Sequence, residues 1–252
     1  MSALIVTADD LGLREDVDRG ILTAHRAGAV THASWLAGGE SSRSCAEAVR
    51  REAPALGVGL HLSLSQTRPS GDPYALRGLL RDGRFPPRQF DALRWLWSRR
   101  GRLAAVAREW SAQAEAFERV WGQTPTHLDS HQHVHLAPPL ARLAVEIAAS
   151  RGIPRIRAPR NGSPGRGLAG RAETAVFYAL GRRLARRATS AGLVVPDTFD
   201  GFTVSGRASL LALREFRQSG VTEWMVHPGE RDEPGGYARR QEVGALRAWA
   251  AE

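Results

Sequence analysis

Histidine and carboxylate side chains are concentrated in four short segments of this sequence. The densest, HLDSHQHVH at 127–135, holds four of the chain's eight histidines together with Asp129. The other three segments are Asp9–Asp10 after the apolar run LIVTA, His61 within GVGLHLSL, and His227 within MVHPG. Imidazole and carboxylate groups together are ligands for zinc and similar divalent metals. The pattern therefore predicts a metal site, to which 127–135 contributes only some of its histidines, because one ion cannot bind all four.

Each segment also has an ordinary structural explanation when it is taken alone. Asp10 could cap the following helix, His61 could be a hydrogen-bonded core histidine, and His227 could belong to a turn. A zincin site is excluded, because its HExxH motif needs a glutamate between the histidines on a helix, and 127–135 has no glutamate and precedes the helix. All four segments end predicted strands, and the carboxyl ends of parallel strands converge on one face. Their shared location therefore favours the interpretation that they form a single site.

Short apolar runs alternate with longer helical patterns along the chain. Strands are predicted at 3–8, 29–36, 57–64, 126–129, 153–158, 193–196 and 222–226. Helices are predicted at 15–27, 42–52, 101–121, 137–151, 168–190, 206–218 and 237–250. Seven such alternations predict a parallel sheet with crossover helices, which in 252 residues most naturally closes as a barrel. We predict a single α/β domain over 1–252, with an open doubly wound sheet as the alternative, and long loops at 65–90 and 159–170.

The composition narrows the class of protein. With 42% hydrophobic and 24% charged residues, the chain resembles an ordinary soluble domain. The formal net charge is +9, and every basic residue is arginine, but no nucleic-acid-binding motif accompanies this charge, so we expect no nucleic acid partner. The lone Cys45 excludes an internal disulfide, and no signal peptide or membrane span is recognisable. We therefore expect a cytoplasmic location.

Two predicted helices have informative faces. The helix at 101–121 has an apolar stripe that predicts packing on the core: Leu103, Val106, Trp110, Ala114, Phe117 and Trp121. The helix at 168–190 has a second predicted stripe, formed by Ala172, Val176, Leu180 and Leu184, and arginines at 182, 183, 186 and 187. These arginines suit the C-terminal end of a solvated helix. The alternative hypothesis is that they bind an anionic membrane surface while the stripe packs on the barrel.

Five segments of the sequence resemble the YdjC-like carbohydrate deacetylases, the family of the chitooligosaccharide deacetylases. The matching segments are TADDLG (7–12), AGAVTHASWLAGG (27–39), GVGLHLSL (57–64), PTHLDSHQHVH (125–135) and MVHPGE (225–230). The wider relatives are the polysaccharide deacetylases. The resemblance implies a distorted (β/α)7-type barrel. It also implies a metal-dependent hydrolase that removes an N-acetyl group from an amino sugar, in an N-acetylglucosamine-containing oligosaccharide or glycolipid.

The resemblance also assigns roles to individual residues. Asp10, His61 and His131 match the ligands of one divalent ion, Mg²⁺ or Zn²⁺. Asp9 matches the general base, and His227 matches the general acid. Two functions from other classes stay open as alternatives: a non-catalytic metal- or carbohydrate-binding barrel, and a metal-dependent phosphoesterase.

Further residues are candidates for supporting roles. Asp129 could orient a ligand histidine or form a turn. Arg157 and Arg160 follow the predicted strand IPRIRA and are candidates for binding substrate. Trp95, Trp97 and Trp224 are candidates for stacking on a sugar, with core packing as the ordinary explanation. The chain ends soon after its last predicted helix, earlier than the family usually does, and a homodimer that covers an edge is a further hypothesis.

Overall fold

Six parallel strands form one curled sheet in the computed structural model, which describes residues 3–216, 219–233 and 236–252. The strands are β1 (Ala3–Leu11), β2 (His32–Trp35), β3 (Gly57–Leu62), β4 (Leu128–Ser130), β5 (Thr198–Asp200) and β6 (Val221–Val226). Their order across the sheet is β4-β3-β2-β1-β6-β5, and every pairing is parallel. Read from the β5 edge, the strands follow the chain cyclically, from the fifth and sixth to the first four. This is the winding of a (β/α) barrel, because a doubly wound sheet reverses direction at its centre.

The predicted strands 153–158 and 193–196 form only single parallel bridges, at the open side of the sheet. Leu128 pairs with Ile156, and Arg155 pairs with Val194. Farther along, the backbone N–H of Phe199 on β5 donates to the carbonyl of Arg160 at 3.0 Å. Pro154, Pro159 and Pro196 interrupt these segments, and proline cannot donate to a strand ladder. The sheet is therefore a half-barrel whose gap between β4 and β5 is spanned by irregular chain, and β5 itself begins after the predicted 193–196.

Eight helices surround the sheet in the described residues. They are α1 (Glu15–Arg26), α2 (Ser44–Glu52), α3 (Gln89–Trp97), α4 (Arg102–Trp121), α5 (Pro138–Ser150), α6 (Gly167–Ser190), α7 (Leu210–Glu215) and α8 (Arg239–Ala250). Two short 3-10 turns, His131–Leu136 and Phe202–Val204, complete the order. The predicted helix 206–218 is shorter in the structure, where the Ser209 hydroxyl caps α7 by accepting from the Ala212 N–H, and residues 217–218 lie outside the described part. None of the described helices combines the length and apolar character needed to cross a bilayer.

Helix α3 was not predicted, because it lies at the end of the Pro-, Gly- and Arg-rich stretch read as a loop. Its inward face buries Ala92, Trp95 and Leu96. The preceding chain is fastened to α4 by the buried Glu109 carboxylate, which accepts the backbone N–H groups of Ser70 and Gly71, both at 2.8 Å. The excursion between β3 and α4 is therefore an ordered part of the fold.

The stripe predicted for α4 is confirmed, whereas the stripe predicted for α6 is wrong. On α4, Val106, Trp110 and Phe117 are fully buried. On α6, Val176 is 61% exposed, and the buried face consists instead of Thr174, Phe177, Tyr178, Gly181, Leu184, Ala185 and Ala188. A helix has 3.6 residues per turn, so residues spaced by four drift by about 40° at each step and leave the packed face.

Candidate functional site

A kink in the central strand brings Asp9 and Asp10 to the same side of the sheet. Neighbouring strand residues normally point to opposite faces. In β1 the register with β2 shifts between Ala8 and Leu11, and Asp10 has a φ of 74°. This left-handed conformation costs about 1–3 kcal/mol for a residue other than glycine, and such strain is typical of functional sites. Both carboxylates consequently approach His61, whose Nε2 lies 3.9 Å from Asp9 Oδ2 and 3.7 Å from Asp10 Oδ1.

Asp10, His61 and His131 converge at the carboxyl ends of β1, β3 and β4. Their potential ligand atoms all lie within 4.8 Å of one another, and Asp10 Oδ1 is 2.8 Å from His131 Nδ1. Asp10 Oδ1 and His61 Nε2 are buried without a hydrogen-bond partner among the described residues. Unpaired buried polar atoms are costly, and a divalent cation would satisfy them. The three side chains fit a metal ion, and Asp10 does not cap α1, which has no side-chain cap.

Each histidine of this group has its second ring nitrogen engaged by a neighbouring side chain. His61 Nδ1 lies 2.6 Å from Asp129 Oδ1, and His131 Nε2 lies 3.0 Å from Gln66 Oε1. Proton donation from these nitrogens leaves the opposite lone pair free for a metal. Asp129 is in turn held by the Ser34 hydroxyl at 2.7 Å. Asp129 thus bonds both His61 and Ser34, and its role in orienting a ligand histidine stays a prediction.

A second group, Asp9, His61 and Asp129, also has ligand atoms within 4.8 Å of one another. Its carboxylate oxygens are already used, however. Arg157 donates to Asp9 Oδ1 at 2.8 Å and to Asp9 Oδ2 at 2.7 Å, and its Nη2 lies 2.8 Å from Asp129 Oδ2. Despite burial, Arg157 and His61 hold the pKa of Asp129 well below its ordinary value, so this carboxylate stays charged. This group is an ion-pair network that supports the first one.

Arg157 is therefore not where a substrate-binding role would put it. It is almost fully buried at 1% exposure, and its Nε donates to Glu223 at 2.8 Å. Its guanidinium is taken up by three carboxylates and orients Asp9. The pKa of Asp9 is nevertheless raised, because the cost of burying the carboxylate exceeds the attraction of Arg157.

Two other predicted substrate-binding residues lie away from the group. Arg160 donates from Nε to the carbonyl of Pro196 at 3.0 Å, beside the segment that leads to β5. Trp224 on β6 follows Glu223, which faces Arg157, so strand alternation turns the indole to the outer side of the sheet. There it packs against Phe216 with ring centroids 4.4 Å apart. Trp95 is also buried, and Trp97 is exposed on α3.

The other histidines of 127–135 serve the structure. His127 Nε2 lies 3.0 Å from the Ser34 hydroxyl, and its ring fills the space that Gly59 leaves free on β3. His135 bonds the Ser130 hydroxyl and the carbonyl of Arg157. His133 packs edge-on against Phe177 of α6, with ring centroids 5.0 Å apart. Only His131 of this segment reaches the potential metal site.

His227 completes the group from the end of β6. Its Nε2 lies 3.9 Å from Asp9 Oδ2. Burial lowers the pKa of His227 to about 3, so its ring is neutral near pH 7. Its backbone N–H donates to Glu242 at 3.0 Å, and its carbonyl lies 3.4 Å from Arg239 Nη1. Helix α8 therefore fixes the position of His227.

Helix α8 contributes two buried charged residues that the sequence analysis missed. Arg239 donates to Asp10 Oδ2 at 2.7 Å and to Glu233 at 2.7 Å, which leaves only Oδ1 of Asp10 open. Glu242 holds His227. In the sequence, Arg239 and Glu242 look like ordinary solvated charges of an amphipathic helix. Ser34, which bonds Asp129, was also not predicted, but it lies within the segment 27–39 that carries the family resemblance, and that segment could have drawn attention to it.

We expect Glu242 to make the stability of the fold depend on pH. Burial raises the pKa of Glu242 to about 8, against 4.5 ordinarily. The folded state therefore binds this proton more tightly than the unfolded state, and the free energy of unfolding should fall as the pH rises from about 4.5 to 8. Glu242→Gln should lose this part of the dependence, which is at most on the order of 5 kcal/mol. Urea unfolding across this range measures it. The exposed Glu47→Gln is the matched control, and parallel profiles for wild type and Glu242→Gln would contradict the assignment.

Comparison with known proteins identifies relatives of this chain. Curated chitooligosaccharide deacetylases of Salmonella paratyphi B and Salmonella newport are each 39% identical over 154 residues, which is 60% of this chain and 57% of theirs. The matched region thus spans little more than half the length of these relatives. A solved structure from Enterococcus faecalis V583, described as a proposed cellobiose-phosphate cleavage protein, is 25% identical with a TM-score of 0.74. The superposition covers 98% of this chain and 90% of that one. The family model of YdjC-like proteins matches residues 3–251, and the chain therefore belongs to the YdjC-like family.

Proposed function

We propose that this protein is a metal-dependent hydrolase that removes the N-acetyl group from an amino sugar, in an oligosaccharide or glycolipid containing N-acetylglucosamine. The observation that carries the proposal is a pair of buried ligand atoms, Asp10 Oδ1 and His61 Nε2, which lie next to His131 Nδ1 and have no hydrogen-bond partner within residues 3–216, 219–233 and 236–252. The relatives named chitooligosaccharide deacetylases support the choice of reaction. The cyclic strand order supports assigning the half-barrel to the distorted (β/α)7 type.

Asp10, His61 and His131 would hold one divalent ion, Mg²⁺ or Zn²⁺. Bound there, the ion would supply Lewis acidity, polarising the amide carbonyl and lowering the pKa of water. Arg239 restricts Asp10 to a single free oxygen, and Asp129 and Gln66 fix the rings of the two histidines. The protein thus presents three preoriented ligand atoms and leaves the remaining directions for water and substrate.

Asp9 and His227 are placed to move the protons of amide hydrolysis. Attack by water forms a carbon–oxygen bond and releases a proton, which Asp9 is positioned to accept. The carbon–nitrogen bond then breaks, and the departing amine needs a proton. Burial keeps the ring of His227 neutral at rest, so it must take up a proton before it can donate one, and Asp9, whose Oδ2 lies 3.9 Å from His227 Nε2, is placed to supply the proton taken from water. Arg157 keeps Asp9 in place during both transfers.

The phosphoesterase alternative is less well supported. Two-metal phosphoesterases need a second ligand set close to the first. In the described residues the only adjacent set is Asp9, His61 and Asp129, whose carboxylate oxygens are already bonded to Arg157 and Ser34.

Acetate release distinguishes the proposal from both alternatives. The protein is freed of metal with a chelator and reloaded with Mg²⁺ or Zn²⁺. It is then incubated with N-acetylglucosamine, its oligomers, its lipid-linked forms and a phosphate ester. We expect metal-dependent acetate release from at least one N-acetyl sugar. Phosphate release without acetate release would support the phosphoesterase, and the absence of both reactions would support a binding protein.

A further inference from the structure

Exposed apolar side chains lie on two helices, α3 and α6, that both contact the turn carrying His131. Helix α3 exposes Phe90 at 70% and Trp97 at 62%, and α6 exposes Leu168 at 90% and Val176 at 61%. Single exposed apolar residues are ordinary, whereas several on one face mark an interaction site. We refer to Phe90, Trp97, Leu168 and Val176 as the apolar rim.

The two helices that carry the apolar rim are both attached to the turn that carries His131. In this turn Gln132 and His133 have φ values of 52° and 54°. Gln132 accepts the backbone N–H of Gln89 at 2.7 Å, which fastens the start of α3 to the turn. His133 packs on Phe177 of α6. Consecutive residues of one turn therefore contact the two helices, and this turn follows His131 of the proposed metal site.

The surroundings of the apolar rim are strongly basic. The segment 68–102 contains nine arginines and three aspartates. Arg94, 80% exposed at its side chain, lies between Phe90 and Trp97 at helical spacing and shares their face. Exposed Arg166 and Arg171 stand on either side of Leu168. A second copy of the chain would bring like charges together here, which disfavours self-association through this face.

We propose that the apolar rim and its arginines dock on an anionic phospholipid bilayer. Helices that lie in a membrane interface combine aromatic and aliphatic side chains with arginine, and tryptophan suits the boundary between headgroups and acyl chains. Anionic lipid supplies the charge complementary to this face. The sequence-based hypothesis placed membrane contact at Arg182, Arg183, Arg186 and Arg187. The exposed apolar side chains favour a different contact surface, formed by α3 and the first half of α6.

Sedimentation of the full chain with vesicles tests the proposal without any substrate. One set of vesicles is phosphatidylcholine alone, and the other is phosphatidylcholine with an equal part of phosphatidylglycerol. We expect binding to the anionic vesicles at low salt and a marked decrease at high salt, where surface charges are screened. The double variant Phe90→Ser/Trp97→Ser should bind about tenfold more weakly. No binding of the wild type at low salt would overturn the proposal.

Control variants at other exposed positions show whether vesicle binding depends on the apolar rim or on exposed side chains in general. Val194→Ser/Leu211→Ser removes exposed apolar residues from other parts of the chain and should keep full binding. Replacement of the four arginines at 182, 183, 186 and 187 by glutamine should weaken binding less than the α3 variant. An equal or larger loss in either control would overturn the proposal, and so would dissociation of a dimer by the α3 variant in gel filtration.

The fluorescence of Trp97 can report directly whether α3 contacts lipid. It is the most exposed of the seven tryptophans, so lipids brominated on their acyl chains should quench part of the protein's fluorescence through it. The conservative Trp97→Phe keeps an apolar side chain and should retain vesicle binding while losing this quenching. Quenching that persists in Trp97→Phe would show that another surface meets the lipid.

Discussion

Replacing His61 with alanine is expected to abolish stoichiometric metal binding and, with it, metal-dependent deacetylation. His61 Nε2 is buried beside Asp9 and Asp10, and the described part of the chain offers it no hydrogen-bond partner. Its loss leaves two ligands, Asp10 and His131, which are too few for the usual three-ligand protein site. Metal content after reloading and calorimetric titration of the metal-free protein measure the effect. The control is His25→Ala, which removes a histidine of α1 that lies outside the group of potential ligands and bonds the carbonyl of Val30.

A variant with an intermediate expected loss of metal affinity tests the same site more stringently. Asp129→Asn keeps the size of the side chain but weakens its hold on His61 Nδ1, which lies 2.6 Å away. Removal of such an orienting partner typically lowers metal affinity by about 10–100-fold. We therefore expect Asp129→Asn to fall between wild type and His61→Ala. Unchanged affinity in both variants would show that the ion is held elsewhere.

The part of the site that could be predicted from the sequence is the part that lies in short, chemically distinctive segments. Asp9–Asp10, His61, His131 and His227 each lie in or directly after a predicted strand, and the carboxyl ends of parallel strands lie close together. The structure places all five side chains in one group. The kink at Asp10 could not be predicted, because the pattern of residue types does not indicate that an aspartate adopts a left-handed backbone conformation.

Residues that act through long-range contacts were harder to find. From its position after a predicted strand, Arg157 is only a candidate for binding substrate, and the sequence does not reveal its three carboxylate partners, because they are distant in sequence. Arg239 and Glu242 resemble ordinary surface charges of an amphipathic helix until α8 is placed against β6. Trp224 was misjudged because the inner and outer faces of β6 can be told apart only once Glu223 is seen to bond Arg157.

The fold was predictable in class and winding, and less so in its irregular parts. Alternating apolar runs identified the parallel sheet, and the strand order follows from sequential crossovers. The weak pairing of 153–158 and 193–196 depends on prolines that interrupt the ladder, which a pattern of apolar residues does not register. Helix α3 was missed because Pro, Gly and Arg dominate the stretch before it, although Glu109 and the core contacts of Trp95 and Leu96 hold the region in place.

Asp9→Asn should retain the metal and lose most of the activity. The substitution keeps the shape of the side chain and one oxygen for Arg157, but an amide cannot accept the proton of the attacking water. Loss of a general base typically costs about 10²–10⁴-fold in rate. Asp9 is also placed to pass this proton on to His227, since its Oδ2 lies 3.9 Å from His227 Nε2. The fall should therefore appear in kcat, measured as acetate release from the best N-acetyl sugar at saturating metal.

Two further measurements show whether Asp9 acts on the reaction or only on the fold. Arg157 keeps Asp129 and Glu223 as partners in Asp9→Asn, so we expect the variant to fold and to bind metal with an affinity close to that of the wild type. Asp200→Asn is the matched control, because Asp200 is a buried aspartate that bonds Ser163 and the N–H of Gly201 on β5. This control should keep normal kcat. If Asp9→Asn turned over at nearly the wild-type rate with its metal bound, the proton acceptor would have to be another group. If it lost the metal instead, Asp9 would belong to the ligand set and the division of roles between Asp9 and Asp10 would be reversed.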